Sequence, residues 1–144
     1  MSNLYDRDFY AWTRQQAAAL AAHEAYELDW AHLVEEIETL GRSERKELRS
    51  YLEGALLHLL KWQHQPTHRT RSWADSIGRN RDHVPLCLEE SPSLRPHLPA
   101  LLEQAYRLAR RGAARQTGLP LVTFPDACPW TPEQVLDDDF WPGA

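Results

Sequence analysis

One apolar stripe constrains this chain more than any other feature. Leu48, Leu52, Ala55, Leu56, Leu59 and Leu60 recur at the three- and four-residue spacing that gathers side chains on one face of an α-helix. The run ends in LLKWQHQP, residues 59–66, where Pro66 lacks an amide donor and restricts the residue before it. Such a helix must bury its leucine face against other elements, and the neighbouring segments read as further helices. Trp30, Leu33, Val34, Ile37 and Leu40 carry the pattern upstream, and Trp73, Ile77, Val84 and Leu88 carry it downstream. Leu94, Leu98, Leu101, Leu102, Ala105, Leu108 and Ala109 form the last long stripe. No period-two pattern extends beyond a few residues, so strands have no foothold.

Capping residues divide this pattern. A first helix is expected from about Asp8 to His23, with Trp12 and Leu20 on its apolar side. Asp29 is placed to cap a second, which Gly41 ends or kinks, and Ser43 then caps a third. Ser72, with Asp75 at the capping-box position, starts the next, and Pro85 predicts a kink or early break inside it. Ser91-Pro92-Ser93 opens the last helix, and Gly118 followed by Pro120 closes it. The expected fold is all-α, a compact and mostly antiparallel bundle of four to five helices in a single domain, residues 1–144. Its expected core is Leu33, Ile37, Leu40, Leu52, Leu56, Leu59, Ile77, Val84, Leu98, Leu101, Leu102 and Ala105.

After Gly118 the character changes. Residues 119–142 hold five prolines and four large aromatics. Proline favours an extended path, yet Phe124, Trp130, Phe140 and Trp141 are too many for a free tail. The segment 119–144 therefore reads as an ordered arm over the bundle, anchored by Phe124 and Trp130. Thr131-Pro132-Glu133-Gln134 starts a short helix near 131–137.

Charge narrows the function. The chain carries a net charge of -5, which disfavours general affinity for nucleic acid or anionic membrane. The charge is also uneven: nine acids face four bases between Glu24 and Glu53, while Arg107 to Arg115 holds four arginines and no acid. Five acids near the end of the arm are expected to lie over that stripe or over the Arg69–Arg81 region. No apolar run approaches the ~20 residues that span a bilayer. The opening MSNLYDRDFYAW lacks the basic-then-apolar order of a secretory signal. Cys87 and Cys128 form neither a CxxC pair nor a disulfide framework, which places the chain in a reducing cytoplasm.

Chemistry-bearing residues fall in three groups. Glu36 and His58 flank apolar stripes on the expected second and third helices. If those helices pack antiparallel the two side chains meet at a seam, the weak candidate for a catalytic pair. His32 and Glu36, with the His64/His68 pair and His58, have ligand-like spacings, although Pro66 separates His64 from His68. Trp62, Gln65, Arg69, Arg71, Trp73 and Arg81, with Arg107 and Arg111, interleave aromatics and bases as a surface for a partner or for nucleic acid would. Against each stands a structural reading, in which the histidines make satisfied hydrogen bonds and the arginines lie over indoles or on helix C-termini.

Several phrases together carry a resemblance. YDRDFYAWTRQQA, LVEEIETLGRSERKELRSYL, HLLKW followed by QP, RSW, SPSLR, TGLP and FPDACPWT stand in an order that resembles a bacterial family known as domain of unknown function 29. The likeness runs from about Tyr5 to Pro142. By that resemblance a Tyr or Phe is expected where this chain has His64, and no proline is expected where it has Pro85. The resemblance implies an all-α bundle in the bacterial cytosol and assigns no activity. Function is then expected to be that of a non-enzymatic interaction protein, a small-partner or antitoxin-like binding module. It would work without a cofactor, as a monomer or homodimer whose partner is another protein. A His/Glu-based metal-dependent enzyme is the first alternative and a nucleic-acid binder through region 62–81 the second.

Overall fold

The computed structural model describes residues 4–143. Six α-helices appear in order: α1 (Leu4–Arg7), α2 (Phe9–Ala21), α3 (Trp30–His64), α4 (Arg71–Glu90), α5 (Leu98–Thr117) and α6 (Pro132–Leu136). The architecture is all-α, and no strand occurs among the described residues. No described helix is long and apolar enough to cross a membrane. The chain groups into two compact units, Met1–Ser43 and Glu44–Ala144.

In the first unit, Asp8 caps α2 by accepting from the Ala11 amide at 3.0 Å. The helix buries Trp12, Gln16 and Ala19 and leaves Leu20 exposed. Gln16 is a buried amide with both ends used. Its Oε1 accepts from the Asp29 amide at 2.7 Å and its Nε2 donates to the Glu27 carbonyl at 3.2 Å. It thereby stitches the loop after α2 to the start of α3. The expected break at Gly41 and Ser43 does not occur: α3 is one helix of 35 residues. A lone glycine costs a helix only about 1 kcal/mol, and the glutamates, arginines, lysine and leucine around it repay that through propensity. With the break goes the expected seam. Glu36 and His58 lie on one helix, about six turns apart, and cannot face each other as neighbours.

In the second unit, residues 44–64 of α3 pack with α4 and α5. Lys61 Nζ sits 4.6 Å above the Trp73 ring, and Tyr51 meets His83 edge-on at 4.7 Å. As one partner's number falls the other's rises, so α3 and α4 are antiparallel. Lys61 donates to Gln116 at 2.9 Å, and Leu57 closes against Gly112, where an added Cβ would stand 3.3 Å from Leu57 Cδ1. Here the numbers rise together, so α3 and α5 are parallel and the three helices run up, down and up. Leu48, Leu52, Leu56, Leu59, Leu60, Ile77, Val84, Leu101 and Tyr106 form the core.

The local starts differ from expectation in two places. Thr70, not Ser72, caps α4 by accepting from the Trp73 amide, because the helix begins two residues earlier than expected, at Arg71. Pro85 lies inside α4 without ending it. Gly118, at φ 74°, closes α5 in the left-handed conformation that glycine adopts freely. The arm then crosses the bundle. Phe124, Trp130 and Val135 are buried, and Thr131 with Gln134 forms a complete capping box at α6.

Four residues of the expected core are not in it. Leu33 and Leu98 are half-buried, and Ile37 and Leu40 are 66% and 67% exposed. Trp30 and Val34 beside them are 61% and 55% exposed. The first part of α3 has the periodicity of a core helix, yet among the described residues that face is left exposed.

Candidate functional site: the polar cluster and apolar face of the first unit

Asp29 stands at the head of α3 and draws three donors. Trp12 Nε1 donates to its Oδ2 at 3.0 Å, His32 Nδ1 lies 2.7 Å from the same oxygen, and the His32 amide reaches Oδ1 at 3.4 Å. The His32 hydrogen bond, followed by that of Trp12, lowers the Asp29 carboxyl below its ordinary range, against partial desolvation. In return Asp29 raises the His32 imidazole. The His32 ring stacks on Tyr5 with centroids 3.8 Å apart and planes 9° from parallel. Tyr5 also meets Trp12 edge-on at 4.9 Å, and its hydroxyl donates to Glu36. That bond pushes the Tyr5 phenol up to about 12. An open cleft of about 760 Å³ lies beside the cluster, lined in part by Tyr5, Gln16, Tyr26, Asp29, Trp30 and His32.

The cluster resembles a His–carboxylate dyad, in which a carboxylate on Nδ1 leaves Nε2 as the working nitrogen. Among the described residues no serine or threonine hydroxyl and no cysteine thiol is bonded to His32, so the rest of that machinery is not seen there. What it does physically is pin α1 and α2 to the head of α3. His32 and Glu36, read as ligand-spaced, are instead bonded to Asp29 and Tyr5 respectively. Among the described residues no three His, Cys, Asp or Glu side chains gather as a metal site. Tyr5 and Gln16 escaped the sequence reading because their partners lie up to 31 residues away. Only the Asp29-x-x-His32 spacing at a helix start was there to be noticed.

The remaining candidates lie in the second unit. His58 is half-buried and its Nδ1 sits 2.9 Å from the Gly54 carbonyl. Burial lowers its pKa, against the pull of that carbonyl. His64 packs edge-on to Phe124 at 4.8 Å, and burial lowers it too. His68 is exposed beyond Pro66, in the short 3-10 turn Pro66–His68 that Gln65 precedes.

The LLKWQHQP cluster turns out to be where the arm's end is received. Arg69 Nε donates to the Trp62 carbonyl at 2.8 Å, its guanidinium lies 4.9 Å over the Trp62 ring, and its Nη2 reaches the Gly143 carbonyl at 3.3 Å. Trp141 packs 4.7 Å from Trp62. Arg81, 3% exposed, donates from Nε to the Val135 carbonyl and from Nη2 to the Phe140 carbonyl, both at 2.7 Å. Trp73 lies under Lys61, and Arg71 is exposed. Arg107 and Arg111 are exposed on α5. Of the arm's acids, Asp126 pairs with Arg110 at 3.0 Å. Trp62, Arg69 and Arg81 thus hold residues 135–143 of the arm.

The apolar face of α3 completes the first unit. Trp30, Val34, Ile37 and Leu40 follow one another at helical spacing, and Tyr26 just before them is fully exposed. Residues 1–43 carry eight acidic side chains against three basic ones, a net charge of -5 that equals that of the whole chain.

The family model described as Domain of unknown function DUF29 matches residues 4–141, and the chain belongs to that family. No curated protein and no solved structure matches it.

Proposed function

We propose that this member of the family is a non-enzymatic protein-binding module of the bacterial cytosol, and that its partner docks on the apolar face of α3 within residues 30–40. The observation that carries the reading is the exposure of Trp30, Val34, Ile37 and Leu40 in one stripe. Leaving four such side chains in water forgoes roughly 1.5–3 kcal/mol each of burial. A row of them at helical spacing is how one helix offers itself to another. The charge of the same unit selects the partner. With a net charge of -5 in residues 1–43, the fitting occupant is an amphipathic helix whose apolar stripe is flanked by lysine or arginine. The two free cysteines, one buried and one half-buried, support a reducing compartment.

The test uses labelled helical peptides of two kinds, one built from leucine and lysine and one from leucine and glutamate, followed by fluorescence anisotropy. The basic peptide is expected to bind and the acidic one not to. Ile37→Glu is expected to weaken binding by about tenfold or more, as loss of a central anchor does. Equal binding of both peptides removes the charge argument. Self-association of the free protein that Ile37→Glu abolishes assigns the face to a second copy of the chain instead.

A further inference from the structure

The acidic arm was expected over the arginines of α5 or over the Arg69–Arg81 region. On α5, Arg110 meets the arm: it pairs with Asp126 and donates to the carbonyls of Phe124 and Leu121. Arg107 and Arg111, on the neighbouring face, line a cleft of about 510 Å³ together with Arg49 of α3, Gln104 and Leu108. Among the described residues no carboxylate lies within ion-pair distance of Arg49, Arg107 or Arg111, and none of the three guanidinium groups donates a hydrogen bond to the protein. The convergence follows from the packing. Gly112 lets α5 approach α3 at Leu57, and Lys61 bonded to Gln116 sets the parallel register. Two turns earlier on both helices, that register brings Arg49 beside Gln104 and Leu108.

We propose that this cleft binds a phosphorylated small molecule through Arg49, Arg107 and Arg111. Three like charges in one cleft repel one another, and among the described residues no carboxylate pairs with them directly. An anion with several oxygens does, and the planar fork of arginine matches phosphate in a bidentate way that lysine does not. Gln104 adds an amide for a hydroxyl or a further oxygen. Leu108, 41% exposed, supplies an apolar floor for the carbon part of the ligand. The cleft is open to solvent and has room for a ligand of nucleotide size. A nucleic-acid strand fits less well, because the cleft lining has no aromatic side chain on which bases would stack.

The site belongs wholly to the second unit and does not depend on the apolar face of α3. Titration calorimetry of the full chain with pyrophosphate, with ATP and with a single-stranded oligonucleotide tests it. Saturable one-to-one binding of ATP or pyrophosphate is expected. Arg107→Ala and Arg111→Ala should each weaken it about tenfold or more, and Arg49→Lys, which keeps the charge and loses the fork, should weaken it as well. Arg95→Ala, an exposed arginine outside the cleft, should leave it unchanged. Thermal melts of each variant confirm that the bundle is intact, as expected for side chains that make no internal bonds. Three results overturn the proposal: no saturable binding of either phosphate probe, equal loss in Arg95→Ala, or oligonucleotide binding in a protein that ignores ATP.

Discussion

The two units solve the same problem with opposite outcomes. Of the twelve exposed large hydrophobic side chains among the described residues, eight belong to the first 43 residues, although that unit is less than a third of the chain. The same residues hold the whole net charge, whereas residues 44–144 balance thirteen acids with thirteen bases. The second unit is closed by its arm, which covers the bundle with Phe124, Trp130 and Val135. The first is held mainly by polar stitches, through Gln16, Asp29, His32 and the Tyr5–Glu36 bond. One is built around a core and the other around an exposed apolar face, so the second unit carries most of the buried apolar surface and the first most of the exposed.

Removing the arm should break that contrast most severely. Deleting residues 119–144 strips Phe124 and Trp130 from the core, each worth about 3–5 kcal/mol if cut to alanine. Their combined loss approaches the roughly 5–15 kcal/mol that holds a domain folded. Circular dichroism melts should show a truncated chain that is unfolded or aggregated at room temperature, and a cooperative transition at the parent temperature would refute the strap.

Two leucine-type truncations on the one helix sharpen the comparison. Leu56→Ala, in the second unit, should cost about 2–5 kcal/mol in urea melts. Ile37→Ala, in the first, should stay within about 0.5 kcal/mol, as an exposed site does. Equal costs would mean that the face at Ile37 is covered in solution.

Arg81→Leu comes next. The substitution removes two donors and leaves the Val135 and Phe140 carbonyls without them. An orphaned buried acceptor costs roughly 1–3 kcal/mol. The Phe140 end should fray first, visible as faster amide exchange in residues 137–143 than in α5.

The smallest effect belongs to the first unit and depends on pH. His32 is raised, so what its charge adds is present at acid pH and fades as pH rises through the raised value. Asp29 is lowered, so its contribution is present above the ordinary carboxyl range and fades as pH falls through the lowered value. The latch is therefore firmest between the two and loosens on either side. Amide protection factors, corrected for the intrinsic pH dependence of exchange, should follow that window at residues 5–32 and lose it in Asp29→Asn, while protection in α5 stays flat. An unchanged profile in the variant would show that the pair does not govern the latch.

The bundle was legible because helices write themselves locally. The leucine stripe of residues 48–60, the proline that stops it, the Thr131 capping box and the closing Gly118 are all decided within a few residues. The failures were of two kinds. Gly41 and Pro85 were each read as a kink or a break, and neither ends its helix, because a single weak residue inside a long run of good formers is carried by its neighbours. The Glu36–His58 seam depended on that false break and disappeared with it. The Tyr5–Glu36 bond, the Arg81 bonds to the arm and the Arg49–Arg107–Arg111 cleft join residues 31 to 62 positions apart, beyond what any local spacing announces.

What the sequence determined by itself is which segments are helical and which side of each is apolar, because both follow from backbone geometry and the identity of near neighbours. What only the tertiary structure decided is which apolar sides are covered. Trp30, Val34, Ile37 and Leu40 recur at three- and four-residue steps, as do Leu48, Leu52, Leu56 and Leu59 on the same α3, yet the first four are exposed and the last four are fully buried. Burial needs a second surface, and in the second unit that surface comes from α4, α5 and an arm contributed from elsewhere in the chain. Periodicity states what a face can do; the presence or absence of a distant segment against it states what it does.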